Sequence, residues 1–366
     1  MTDKRKRPKY IGGEGVSPKA LFKLRMQIGH HIYLRTENIQ PCIKAGAFTG
    51  NLALVDTNNT EVINFDKRIG TESAYGEAYI VTASTTNPLQ ISIKLMSSMN
   101  QQHALEKDLL LKMTALVGKQ ITPNLPVTYR ALECTGLYQE IQPSIHSKVQ
   151  PSPLMNFKNY FVIMNELANG GDSENFFKQN HTEMSYVSVI FQMIFGLQAF
   201  HQLGYSHNDA HLGNFLCHMG ITQGGFWQYQ YKDTIICVPN TGYLMVLWDP
   251  GLAKPFIESN KNQDFKRMIE LIYRMDEYKY YKDKGMQPID KSTRIYSLLY
   301  KFNNWLSYNR YASFMDYLVD IIKRGEITPS HFILTNKDLP NLSTFPAPYN
   351  YIINDKPYPL EFTYTE

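Results

Sequence analysis

The stretch Tyr205-Ser206-His207-Asn208-Asp209-Ala210-His211-Leu212-Gly213-Asn214-Phe215-Leu216 gathers the residues of this 366-residue chain best suited to do chemistry. A carboxylate, Asp209, is followed five positions later by an amide, Asn214. Phosphoryl transfer uses such a pair. The carboxylate receives the proton of an incoming hydroxyl, and a nearby oxygen ligand holds a metal ion on the phosphates. His211, lying between them, can donate to an anion, with a charge that follows pH.

Several elements must hold these side chains in place. Ser185 to Leu203 has the pattern of an amphipathic helix, stopped by Gly204 as a C-cap would stop it. Leu244 to Leu247 reads as an apolar strand and leads into Trp248-Asp249-Pro250-Gly251, which adds a second carboxylate. Upstream, Val62 to Phe65 reads as a strand, and Arg68 to Val81 as a hairpin rich in small residues. In that hairpin Gly70, Ser73 and Gly76 would let backbone N–H groups approach phosphate oxygens. Gln90 to Leu95 alternates like a strand and carries Lys94. Asn100 to Val117 has helical spacing, with Leu105, Leu109, Leu110, Met113 and Leu116 on one side and Glu106 as its only glutamate. Tyr160 to Leu167 reads as a buried strand opening into Gly170-Gly171.

Taken in this order, the parts resemble the protein kinase superfamily. His207-x-Asp209-x-x-x-x-Asn214 has the spacing of the kinase catalytic loop, and Asp249-Pro250-Gly251 stands where that family has Asp-Phe-Gly. The resemblance covers about residues 60 to 330. It implies an α+β bilobal protein-kinase-like fold, with a small antiparallel β-rich N-lobe and a mainly helical C-lobe. It also implies ATP and Mg²⁺ as cofactors. Lys94 would hold the α- and β-phosphates, Glu106 would position Lys94, and Gly70, Ser73 and Gly76 would cover the nucleotide. Backbone groups around Glu166 and Ala168 would meet adenine, with Asn165 guarding the pocket behind it. Asn214 and Asp249 would hold Mg²⁺, Asp209 would be the base, His207 would brace the metal-binding segment, and His211 would reach the transferred phosphate. Asp264 is a candidate N-cap for a helix starting near Asn262, and resembles the buried aspartate that opens the family's central C-lobe helix.

Three departures shape the functional expectation. The middle glycine position of the hairpin falls near Glu72 or Ser73. Asn208 replaces the arginine that reads an activating phosphate, and proline replaces the mobile phenylalanine after Asp249. The long activation segment is absent. The resemblance implies a divergent serine/threonine protein kinase, of the compact sort found in large DNA viruses, with ATP and a protein substrate as partners. Two alternatives stay open: a small-molecule kinase of the aminoglycoside or choline kinase type, and a pseudokinase scaffold.

Composition bounds the rest. A formal charge of +4 does not call for nucleic acid, and most of the excess sits in the run Lys4 to Lys9. That run reads as a solvated tail, with nuclear import as the other reading. Cys42, Cys134, Cys217 and Cys237 have no C-x-x-C spacing and read as reduced, mostly buried thiols, suiting a cytoplasmic setting. The N-terminus has no apolar core of the secretory type, and polar residues interrupt the longest apolar run, so no membrane segment is expected. Gly12-Gly13-Glu14-Gly15 reads as a linker. The expected divisions are a tail and extension over 1–59, an N-lobe over 60–165, a C-lobe over 166–338 with an insertion at 218–243, and a Pro- and Tyr-rich tail over 339–366. Oligomeric state is not legible.

Overall fold

The structure is a computed structural model describing residues 16–46, 50–73, 76–83, 88–136, 141–150, 158–257, 260–309, 312–327, 334–335 and 349–353. The basic run Lys4 to Lys9, the Gly12 to Gly15 stretch and most of the C-terminal tail lie outside these residues. The fold is mixed α+β and divides into two compact units. Among the described residues, the first holds Phe22–Leu111 and Val127–Leu167; the second holds 16–21, Lys112–Pro126 and those from Ala168 onward.

Up to Leu167 the elements are α1 (Pro18–Arg35), β1 (Ile39–Ala45), β2 (Leu52–Asp56), β3 (Glu61–Ser73), β4 (Gly76–Ala83), β5 (Leu89–Ser97), α2 (Gln101–Gly118), β6 (Thr128–Cys134) and β7 (Tyr160–Asn165). The strands form one antiparallel sheet in the order β1-β2-β3-β4-β5-β7-β6. Alternation decides the faces: β4 buries Glu77, Tyr79, Val81 and Ala83 and turns the residues between them outward. All six residues of β7 are buried. β1 and β6 are the first and last strands of the sheet, yet Cys42 and Cys134 on them are joined by a disulfide, with Cα atoms 4.7 Å apart. Beside it, the Ile43 N–H donates to the Tyr160 hydroxyl at 3.0 Å. The sheet therefore curls far enough to bring a point on each outer strand together, although among the described residues no ladder pairs β1 with β6.

The sequence shows residues 21–59 as no more than an extension; in the structure they supply a helix and two strands of the sheet itself. One expectation changes here. Not all four cysteines are reduced: Cys217 and Cys237 keep their thiols, both buried, and the other two are bridged. Cys42 and Cys134 lie 92 residues apart, so only the curl of the sheet brings them together. The bridge removes the basis for reading a reducing compartment from the cysteines.

The second unit holds α3 (Ser173–Phe177), α4 (Glu183–His201), β8 (Tyr205–Ser206), β9 (Phe215–Met219), β10 (Phe226–Tyr231), β11 (Thr234–Pro239), β12 (Tyr243–Leu247), β13 (Lys254–Pro255), α5 (Gln263–Tyr273), α6 (Lys279–Asp283), α7 (Arg294–Tyr308), α8 (Phe314–Lys323), β14 (Leu334–Thr335) and β15 (Tyr349–Ile353). Thr182 caps α4, its side chain accepting from the Ser185 N–H, and Gly204 takes the left-handed turn after it at φ +83°. α4 is the one helix among the described residues long and apolar enough to cross a membrane, but 89% of that window is buried inside the fold. A helix apolar on all sides and packed on all sides is a core helix.

The insertion belongs to this core. β10 and β11 form a hairpin that buries Trp227 and Tyr229. Tyr229 stacks on Phe195 of α4 at 4.1 Å and donates its hydroxyl to Asn124 Oδ1 at 2.7 Å. Asn124 in turn donates from Nδ2 to the Met245 carbonyl at 2.7 Å, and its own carbonyl accepts from the Leu247 N–H at 2.9 Å. β12, the strand that leads to Asp249, is thus pinned along its length.

Candidate active site

The catalytic-loop residues lie where two short antiparallel pairs end. β8 pairs with β13, and β9 pairs with β12 so that Phe215 faces Leu247. Asn214 directly precedes β9 and Trp248 directly follows β12. The Trp248 N–H donates to the Asn214 carbonyl at 2.7 Å. The strand register therefore carries Asn214 and Asp249 to the same end of one ladder.

A buried carboxylate fixes the loop from below. Asp264 Oδ2 accepts from the His207 N–H at 2.7 Å and lies 2.8 Å from His201 Nε2; Oδ1 accepts from the Asn208 N–H at 2.8 Å. Burial pushes the Asp264 carboxyl up, but its hydrogen bonds with His201 and the His207 N–H outweigh it and hold the group below the usual range. The N-cap expectation fails in detail: Asn262 occupies the cap position, while Asp264 sits inside α5 and uses its oxygens on the loop. Burial also holds His207 well below its ordinary value of 6.5, against the pull of Asp264 and other nearby carboxylates. Neutral His207 donates from Nε2 to the Trp248 carbonyl at 2.8 Å, bracing the residue before Asp249.

Two residues here have left-handed backbones, Asn208 at φ +60° and Asp249 at φ +57°. A non-glycine residue in this region costs about 1–3 kcal/mol. Asp249 also precedes Pro250, which disfavours helical ψ values. The surrounding hydrogen bonds hold both in place, and Asp249 Oδ1 accepts from the Gly251 N–H at 3.4 Å.

Asp209 is half-buried and surrounded by donors. Asn214 Nδ2 donates to its carbonyl at 2.9 Å and to its Oδ2 at 3.1 Å. His211 Nε2 lies 3.5 Å from Oδ2, and Arg267 Nη2 lies 2.9 Å from Oδ1. His211 Nδ1 accepts from the Gly213 N–H at 3.0 Å, so its proton sits on Nε2, facing Asp209. Burial raises the Asp209 carboxyl; the hydrogen bond from His211 and the charge of Arg267 bring it below its ordinary range. The group stays an anion at neutral pH.

In the first unit, Lys94 Nζ lies 2.5 Å from Glu106 Oε1, with the glutamate carboxylate buried. Lys94 faces Ala78 on β4 and Ile163 on β7. Gly76, at the start of β4, has no room for a side chain: a Cβ there would fall 2.8 Å from the Leu95 carbonyl oxygen. Gly70 is left-handed at φ +77° with open space around it. Ser73 ends β3, and its side chain lies outside the described residues. Glu166 has its N–H bonded to the Val127 carbonyl at 2.9 Å, while its own carbonyl accepts from Ser92 Oγ at 3.0 Å. Its side chain makes a two-pronged buried ion pair with Arg25 of α1, at 2.7 and 2.6 Å. The Glu166 N–H is thus committed to the sheet, and its carbonyl to Ser92. Asn165 is buried, its Oδ1 accepting from Thr128 Oγ1 at 2.7 Å. Ala168, in the second unit, is buried and offers its carbonyl to the Gly171 N–H at 3.3 Å.

No protein-family model matches this chain, and no curated protein matches it. The functional reading therefore rests on the geometry.

Two residues in these networks carry no signal in the sequence. Arg25 lies 141 positions from Glu166, and Asn124 lies 121 from Met245. Arg267 shares α5 with Asp264, and the helical spacing of three residues between them could have drawn attention to it.

Proposed function

We propose that this chain is an ATP-dependent phosphotransferase with a divergent bilobal protein-kinase fold, moving the γ-phosphate of ATP to a serine or threonine hydroxyl. The observation that carries the reading is the network at the catalytic loop. Asp209 and Asn214 bond to each other, neutral His207 braces Trp248, and Asp264 holds the loop's backbone, leaving a strained Asp249 beside Asn214. The Lys94–Glu106 pair supports it independently.

Asn214 and Asp249 supply the hard oxygen donors that Mg²⁺ takes, with Asn214 using its amide nitrogen on Asp209. Among the described residues no three His, Cys, Asp or Glu side chains group into a cage of their own. Two protein oxygens completed by phosphate and water are the usual arrangement for this ion. When bound, it would neutralise charge building on the phosphates. Lys94, oriented by Glu106, would bind the α- and β-phosphates. Asp209, kept ionised by its donors, would orient the acceptor hydroxyl and take its proton. His211 would hydrogen-bond the phosphate in transfer through Nε2.

One observation favours the small-molecule alternative: α5 begins at Gln263, so only residues 250–262 separate it from Asp249. That leaves little chain to build a peptide platform. Labelled ATP offered with serine-containing proteins and with a panel of amino alcohols and sugars separates the two. Transfer to protein, abolished in Asp209→Asn, is the expected result. Equal transfer by Asp209→Asn would remove Asp209 from the base role, and transfer only to metabolites would replace the protein-kinase reading.

A further inference from the structure

We propose that Arg267 selects acceptors whose reacting hydroxyl has a carboxylate or phosphate beside it, such as a serine in an acidic peptide. The inference rests on the phosphotransferase reading above. Both Asp209 oxygens have partners: Oδ1 has Arg267 at 2.9 Å, Oδ2 has Asn214 at 3.1 Å and His211 at 3.5 Å. Oδ1, with one donor, keeps a lone pair, so a hydroxyl that passes its proton to Asp209 meets that oxygen beside Arg267. Asn214 is buried and also tied to the Asp209 carbonyl. His211 is fixed through Nδ1 by the Gly213 N–H. Arg267 is 46% exposed, and beyond Asp209 it makes one long bond, 3.3 Å to the Asn208 carbonyl. It is the partner free to turn to an acceptor.

A guanidinium does not lose its proton, and its fork of donors matches a carboxylate or phosphate. An acceptor carrying such a group can engage Arg267 as its hydroxyl meets Asp209 Oδ1. The surroundings agree. Lys254 is exposed on β13, the strand paired with Ser206 just ahead of the loop. The acids on neighbouring elements are already committed: Asp264 is buried on the loop, Glu270 pairs with Arg274 at 3.1 Å, and Glu174 pairs with Lys284 at 2.6 Å. Arg267 and Lys254 thus set two exposed cationic residues near the loop, against the carboxylates of Asp209 and Asp249. In the transfer, the hydroxyl proton goes to Asp209 and the hydroxyl oxygen bonds to the γ-phosphorus. The bond from that phosphorus to the β–γ bridging oxygen breaks, and its electron pair leaves with ADP.

The test uses three serine peptides of one frame, flanked by Asp, Ala or Lys, with full-length wild type, Arg267→Ala and Arg267→Lys. Wild type should favour the Asp-flanked over the Lys-flanked peptide by about tenfold or more in kcat/KM, chiefly through KM. Arg267→Ala should bring the ratio below about twofold, and Arg267→Lys should restore part of it. Equal use of the Lys-flanked peptide by wild type, or a preference that survives in Arg267→Ala, overturns the proposal. Fluorescence anisotropy with labelled peptides and a magnesium-bound non-hydrolysable ATP analogue gives a second readout. Acidic-peptide binding that is lost in Arg267→Ala, with no transfer to any peptide, would support the proposal and count against the phosphotransferase reading alone. Equal binding of acidic and basic peptides would overturn the proposal itself.

Discussion

Asp209 is held as an anion by the His211 hydrogen bond and the Arg267 charge, against the opposing effect of its own burial. A carboxylate with a lowered pKa stays ionised at every pH above its ordinary value, so Asp209 should impose no loss of rate between about pH 8 and pH 5. A kcat profile of wild type on a fixed acceptor checks this. Asp209→Asn should reduce kcat by about a hundredfold or more, with the unfolding transition unchanged within about 1 kcal/mol. Asp264 should behave in the opposite way. It satisfies two buried backbone N–H groups and pairs with His201, so Asp264→Asn should destabilise the protein by about 2–4 kcal/mol. Urea unfolding followed by fluorescence would measure the loss. His207 and Asp264 also set the response to acid. The folded protein keeps His207 neutral, so the unfolded chain binds more protons once pH drops below about 6.5, and stability falls through that window. Asp264, with its lowered folded value, contributes stability that is present above its ordinary value of 3.8 and lost as pH falls further. The melting temperature should therefore fall in two stages on acidification, and replacing His207 by Asn should remove the first.

At the scale of elements, the curled sheet and the pinned strand β12 place the chemistry. The bridge between β1 and β6 closes a span of 92 residues, and losing a disulfide of this kind typically costs about 2–5 kcal/mol. Cys134→Ser should lower the urea midpoint by a corresponding amount, and dithiothreitol should add nothing further in that variant. Gly76 offers a sharper probe of β4 against β5. An alanine there would meet the Leu95 carbonyl at 2.8 Å and displace the strand that carries Lys94. Much of this level was legible beforehand. The spacing of Leu105, Leu109, Leu110 and Met113 marks α2, and the alternation around Lys94 marks β5. What was not legible depended on distant parts of the chain meeting. Cys42 has no local signal for Cys134, and the two strands after α1 become recognisable only when the sheet forms. The same holds within the site. Asp209 and Asn214 could be read from their spacing, whereas Arg267 reaches Asp209 only because Asp264 fixes α5 beneath the loop.

At the scale of the whole molecule, the proposed function stands on phosphate binding by Lys94 and magnesium binding by Asp249. The most direct measurement is calorimetric titration of ATP, with and without Mg²⁺, into wild type, Lys94→Met and Asp249→Asn. Wild type should bind with an affinity that magnesium strengthens. Lys94→Met should bind about tenfold more weakly or worse, and Asp249→Asn should lose the response to magnesium. Failure of wild type to bind ATP, or wild-type binding by both variants, would contradict the account.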